Sequence, residues 1–265
     1  MNASFRGPET MGRRSVGAGK SRVNWSLADG VAVVELGLGH NQGLVDYDTA
    51  CALCEVAEEI EWNSAVRLVL LWSTGPHFCL GTVNEDSWPA PLPWVESVAS
   101  LSAPVVGAVR GGAVSEGCEL ALACDLRWVH PDAFFQLRHL AEGRLPRHGG
   151  TQRLPRSVGR LRALELLWTA RRVAAAEAVR IGLASRMLPA RRWRNEARRL
   201  CGEMARLAPL ALRYGKEAVG KGLDLTLEQG LRLEEDLYVL LQTTRDRAEG
   251  IRAFRQHRRP RFRGE

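Results

Sequence analysis

No stretch of this 265-residue chain approaches the run of about eighteen apolar residues that a membrane helix needs. The longest, Val66 to Trp72 (VRLVLLW), has the length of a buried strand. The first twenty residues (MNASFRGPETMGRRSVGAGK) lack the apolar segment of a secretory leader, so the expectation is a cytoplasmic protein without a membrane partner. Lysine is scarce: of 37 basic residues only Lys20, Lys216 and Lys221 are lysines, and the arginines are scattered through helical stretches among glutamates. The net charge of +7 therefore lies on mixed faces. Clusters at Arg13/Arg14, Arg191/Arg192/Arg194 and Arg258/Arg259/Arg261/Arg263 are either solvated faces or binding sites for a phosphate-like anion or nucleic acid. No aromatic and basic platform for stacking bases is apparent, so nucleic acid is not the expected partner. Six cysteines without a leader imply reduced thiols. Cys51-x-x-Cys54 lies inside a helical pattern with no second pair nearby, so no metal site is expected.

What remains is ordinary globular composition: 45% hydrophobic and 25% charged residues, with a mean hydropathy of -0.18. Such a chain buries a large core without staples. Residues 1–22 show no hydrophobic period and read as a basic tail outside the fold. From Val23, two alternating apolar stretches flank Asp29-Gly30, which predicts a β-hairpin. Leu53, Val56, Ala57 and Ile60 make a helical stripe, and Val66–Trp72 a strand. Residues 87–94 (SWPAPLPW) are too rich in proline for regular helix. Pro104–Val109 reads as a buried strand that enters a Gly111-Gly112 turn and then a helix over Glu116–Cys124. Weaker strands follow at Leu126–Val129 and Phe134–Leu137, then a loop with Pro146, Gly149 and Gly150, and helices over Leu161–Thr169 and Ala175–Ile181. Strands alternating with helices indicate an α/β class with both sheet faces covered. After Pro189 the pattern is helical only, with a capping box at Thr226 and Gln229. The expected division is a core over 23–190 and a helical region over 191–265, whose apolar stripes pack on the core or on another subunit.

Three segments in order, SAPVVGAVRGGAVSEGCELALACDLRWV, LPRHGGTQRLPRSVGRLRALELLWTARRVAAAEAVRIGLASRML and DRAEGIRAFRQHRRPRF, resemble the crotonase family, the enoyl-CoA hydratase/isomerase superfamily. Weaker agreement includes HFCLGTVNE, so the resemblance covers about residues 23 to 263. It implies a crotonase-like spiral of ββα units with a C-terminal helical trimerisation region. It also implies a homotrimer or dimer of trimers, and an acyl-CoA or acyl-carrier-protein thioester as substrate, with no separate cofactor.

In such enzymes two backbone N–H groups stabilise a thioester oxygen as an enolate forms, an effect of about 3 kcal/mol per donor. The resemblance assigns these donors to the amides of Leu80 and Glu116. Glu116 stands where the family has a run of glycines; either its side chain turns to solvent and leaves the amide in place, or its carboxylate reshapes the pocket. Glu119 matches the first of the family's two proton-transferring glutamates, and its place beside the apolar LALAC segment calls for a task or a partner. His139 falls where the second is expected, either as an acid or base or as a structural histidine, with Glu142 as a substitute carboxylate. His148 replaces a small residue and reads as a loop residue or a wall of the acyl pocket; His77 is equally open. Phe262, Arg259 and Arg263 match residues that meet the adenine and phosphates of CoA, and otherwise form a basic tail. Trp88 and Trp94 suggest a bulky acyl group. Hydration, isomerisation, decarboxylation, thioester hydrolysis and C–C cleavage are all compatible with one stabilised enolate or oxyanion. A non-catalytic binding or assembly subunit is the reading from another class.

Overall fold

The computed structural model describes residues 14–16 and 23–265. β2 (Val23–Ala28) and β3 (Val31–Leu36) form the expected hairpin, in register from Val23↔Leu36 to Ala28↔Val31. Asp29 and Gly30 both take positive φ, 51° and 79°, the pair of left-handed residues that lets a two-residue turn follow the twist of the strands. β1 (Arg14–Val16) pairs antiparallel with β2. These three residues lie within the stretch expected to stay outside the fold, and that expectation is corrected there; the rest of 1–22 lies outside the described residues.

After the hairpin come α1 (Tyr47–Glu61), β4 (Leu68–Ser73), α2 (Trp94–Ala99), β5 (Val105–Val109), β6 (Gly112–Val114), α3 (Glu116–Ala123), β7 (Leu126–Val129) and β8 (Phe134–Gln136). Then follow α4 (Gly150–Val158), α5 (Arg160–Thr169), β9 (Val173–Ala174), α6 (Ala175–Arg180) and β10 (Arg186–Met187). Four helices close the chain: α7 (Trp193–Met204), α8 (Pro209–Gly222), α9 (Leu227–Gln242) and α10 (Arg245–Arg255).

The larger sheet runs β1-β2-β3-β4-β5-β7-β10, parallel from β3 onward, and the smaller runs β6-β8-β9. Parallel strands must be covered on both faces, and they are. Ala32, Val34, Val69 and Leu71 point into the main core with α1 and α2, while Val31, Val33, Leu70 and Trp72 pack against Trp193, Ala197 and Cys201 of α7. α4 follows directly on the expected loop, in a stretch to which the sequence pattern assigns no element. Gly149 enters it with φ +88°, and Pro155 lies inside it.

The site depends on how β5 hands over to α3. Gly111 turns with φ +58°, and a Cβ there would lie 2.2 Å from the Pro76 carbonyl, so only glycine lets the two loops meet. β6 then pairs with β8, and Ser115 takes φ 49° and ψ -118° immediately before α3. Gly117 seats the first turn of α3 directly on the Cys79–Gly81 loop; a Cβ there would be 2.1 Å from the Cys79 carbonyl oxygen.

Candidate active site

Glu119 is fully buried in the first turn of α3. Its Oε1 accepts from the backbone N–H groups of His148 and Gly150, each at 2.8 Å, which fixes the carboxylate through the loop leading into α4. Its Oε2 makes no hydrogen bond among the described residues and lies 3.3 Å from Nε2 of His139, also fully buried. The same Nε2 is 3.3 Å from Oε1 of Glu116. Both are ion-pair distances without hydrogen-bond alignment, and His139 Nδ1 has no partner among the described residues. Burial works against a charged imidazole. Contact with Glu116 and Glu119 outweighs it and raises the His139 pKa to about 9, so the ring is an imidazolium at neutral pH.

Glu116 does not turn to solvent as the sequence allowed. It is 2% exposed, and its Oε1 accepts from Arg144 Nη1 at 2.9 Å. Burial favours the acid form, but His139, the residue's own backbone N–H and Arg144 together lower its pKa to about 2. A Cβ on Gly81 would stand 2.9 Å from Glu116 Oε2, so the carboxylate lies folded over its own amide against the Gly81 loop. Glu142 does not act as the substitute carboxylate: it pairs with Arg138 and Arg144 on a 3-10 turn over His139–Glu142, outside the buried cluster.

The Leu80 N–H is not available as an oxyanion donor, because it donates to the Gly43 carbonyl at 2.8 Å. The N–H that sequence reasoning missed is two residues on. Gly81 accepts from Val45 and Val83 donates to Val45, so the Thr82 N–H between them points to the opposite side of the ladder, with no acceptor among the described residues. Alternation about an isolated parallel bridge would have identified it, but the bridge joins segments far apart in sequence.

A second buried group adjoins the first. His148 is 4% exposed; its Nε2 meets Glu85 Oε1 at 2.8 Å and its Nδ1 meets Glu96 Oε2 at 3.3 Å, while Trp94 packs edge-on against the ring. His77 is structural, its Nδ1 accepting from the Gly112 N–H at 3.0 Å. Trp88 donates to the Val83 carbonyl.

Phe262, Arg259 and Arg263 form a separate cluster at the end of the chain. The Phe262 carbonyl accepts from Arg67, and the Arg263 N–H donates to Asp246 at 2.7 Å. Arg259 and Arg263, with Arg245, Arg252 and Arg261, line a cavity of about 730 Å³, whereas Phe262 lines a neighbouring one of about 280 Å³ with Leu210, Tyr238 and Leu241. Cys51 and Cys54 are free thiols on α1, and no cluster of ligands arranged for a metal occurs among the described residues.

The site thus brings together a buried carboxylate, an imidazolium and, on the Gly81 loop, a backbone N–H without an acceptor among the described residues. The chain belongs to the enoyl-CoA hydratase/isomerase (crotonase) family, whose sequence pattern it matches over residues 28–265. It is 37% identical over 221 residues to the enoyl-CoA hydratase/isomerase family protein YngF of Bacillus subtilis, covering 79% of this chain and 85% of that one. It is 31% identical over 254 residues to the (E)-benzylidenesuccinyl-CoA hydratase of Thauera aromatica, covering 91% and 99%. The fold superposes on the enoyl-CoA hydratase of Bacillus anthracis with a TM-score of 0.87 and 31% identity, over 92% of this chain and all of that one.

Proposed function

We propose that the chain is an acyl-thioester enzyme of hydratase/isomerase type that works through a stabilised enolate. Its thioester is carried on CoA or on an acyl carrier protein, and Glu119 is its proton-transferring carboxylate. The observation that carries this is the asymmetry of Glu119: one oxygen is pinned by two backbone N–H groups, and the other is buried without a hydrogen bond among the described residues. Such an arrangement holds a base in one orientation and leaves one of its oxygens free to take a proton. The His139 imidazolium offers a proton and cannot accept one, so Glu119 is the base and His139 an acid or electrostatic partner. The oxyanion falls to the amides of Thr82 and Glu116, the latter once its own carboxylate swings off that N–H. Arg259, Arg263 and Phe262 receive the phosphates and adenine of CoA. Subunits associate as a homotrimer or dimer of trimers through the exposed apolar face of α9 (Leu227, Leu231, Tyr238), and sedimentation as a monomer would overturn that assembly.

The test is loss of the conjugated enone absorbance of crotonyl-CoA. Glu119→Gln is expected to lose at least about a hundredfold in turnover, within the usual contribution of a general base, and unchanged turnover removes the assignment. A second reading, a binding or assembly subunit without turnover, is favoured by one observation: the Glu116 carboxylate fills the space over its own N–H. Glu116→Gly separates the two. A gain in kcat/KM on crotonyl-CoA supports an enzyme held back by this side chain, and no turnover in either protein supports the binding subunit.

A further inference from the structure

Two imidazoles in this site are each held between two carboxylates, and they differ in one respect. His139 lies between Glu119 and Glu116, and the next contact of Glu116 is Arg144, a guanidinium that keeps its protons at any working pH. No proton reaches His139 from solvent along that chain. His148 lies between Glu85, whose side chain is 3% exposed, and Glu96, whose side chain is 44% exposed. One ring nitrogen thus faces a carboxylate in contact with water, and the other faces a buried carboxylate whose Oε2 has no hydrogen-bond partner among the described residues. The backbone N–H of His148 simultaneously holds Glu119 Oε1. Remaining charge around the ring is Arg147, whose Nε is 3.9 Å from Glu85 Oε1 and whose Nη1 pairs with Asp86, and Glu119 itself.

We infer that Glu96, His148 and Glu85 form a proton relay from solvent into the buried site, with Glu85 delivering the proton to the α-carbon of the bound thioester enolate. This rests on the enzymatic reading above. The enolate's electron pair takes the proton of the Glu85 carboxylic acid and forms the new C–H bond, leaving a carboxylate. Neutral His148 gives its Nε2 proton to Glu85 as its Nδ1 takes one from the Glu96 acid, Glu96 is recharged by water, and rotation of the ring about Cβ–Cγ between turnovers returns the proton to the Glu85 side. Where the reaction is a hydration, the proton that Glu119 takes from the attacking water returns to solvent with product release, so each cycle consumes one water and no net proton. The relay fills the place left by the absent second glutamate with groups from the Glu85 turn, the start of α2 and the loop before α4. Trp94 packs edge-on against the ring, and the His148 backbone N–H bond to Glu119 sets where the residue sits.

The experiment is exchange of the α-hydrogens of butyryl-CoA in D2O, followed by mass spectrometry, with binding of butyryl-CoA measured alongside by calorimetry. Wild type is expected to take up deuterium. Glu85→Gln and Glu96→Gln are expected to slow uptake at least tenfold and several-fold respectively, with affinity changed less than twofold. Glu85→Ala is expected to regain uptake when formate is added, which a structural role for Glu85 would not produce. Exchange in wild type that persists at the same rate in Glu85→Gln or Glu96→Gln overturns the relay and leaves the enzymatic reading standing. Wild type that binds butyryl-CoA without exchanging it overturns both. Should Glu85→Gln fail to fold, the half-exposed Glu96→Gln decides alone, and an unchanged rate there overturns the relay.

Discussion

His139 couples the charge state of the site to the stability of the fold. Its pKa rises from 6.5 to about 9 on folding because two buried carboxylates face it. Between these values the folded state keeps a proton that the unfolded chain has lost, so stability falls as pH rises. The contribution is complete below pH 6.5, is lost as pH passes through about 9, and amounts to a few kcal/mol. The melting temperature of wild type is expected to drop across this window, and His139→Gln to flatten most of that slope. An equal slope in both proteins would mean that the imidazole is not charged in the folded state. Glu116 acts at the other end: its carboxylate supports the fold above its ordinary pKa of 4.5, and that support is lost as pH falls through about 2.

At the scale of elements, α3 sits on its loop with no clearance for a side chain. Gly117 touches the Cys79 carbonyl so closely that any side chain must push the helix off the loop. Gly117→Ala is expected to cost about 1–3 kcal/mol or more by overpacking and to remove activity by parting the Glu116 amide from the Gly81 loop. Calorimetry and the crotonyl-CoA assay check the two effects, and a variant with wild-type melting would refute the contact. Much of this framework was legible in the sequence because it is written locally. Asp29-Gly30 specifies the hairpin turn, the stripe from Leu53 to Ile60 specifies α1, and Thr226 with Gln229 closes a capping box on α9. The proximity of Glu119 and His139 was legible only through the family resemblance. What local pattern could not supply are long-range decisions. Gly43 claims the Leu80 amide from far upstream, and Arg144 turns Glu116 inward. α4 had no place in the sequence reading because the loop read at Pro146, Gly149 and Gly150 runs straight into it, although a positive-φ glycine is also a way to enter a helix.

For the whole molecule, the C-terminus is tied back to the beginning of the fold. The Arg67 stem packs beneath Gly30 of the hairpin turn, and its guanidinium holds the Phe262 and Ala205 carbonyls. Asp246 receives the N–H groups of Arg263 and Gly264. The basic end of the chain is thereby fastened at a set place rather than left to fray. The distribution of thiols supplies a readout of how the centre of the molecule behaves. Cys79 and Cys118 lie on either side of the contact between α3 and its loop, wholly enclosed, and burial pushes both thiols up to about 12. Cys51 and Cys54, on α1, are partly accessible. A maleimide should therefore label the α1 pair first, and the slower alkylation of Cys79 and Cys118 would time how often the seam between α3 and the Gly81 loop breathes open in the unliganded protein.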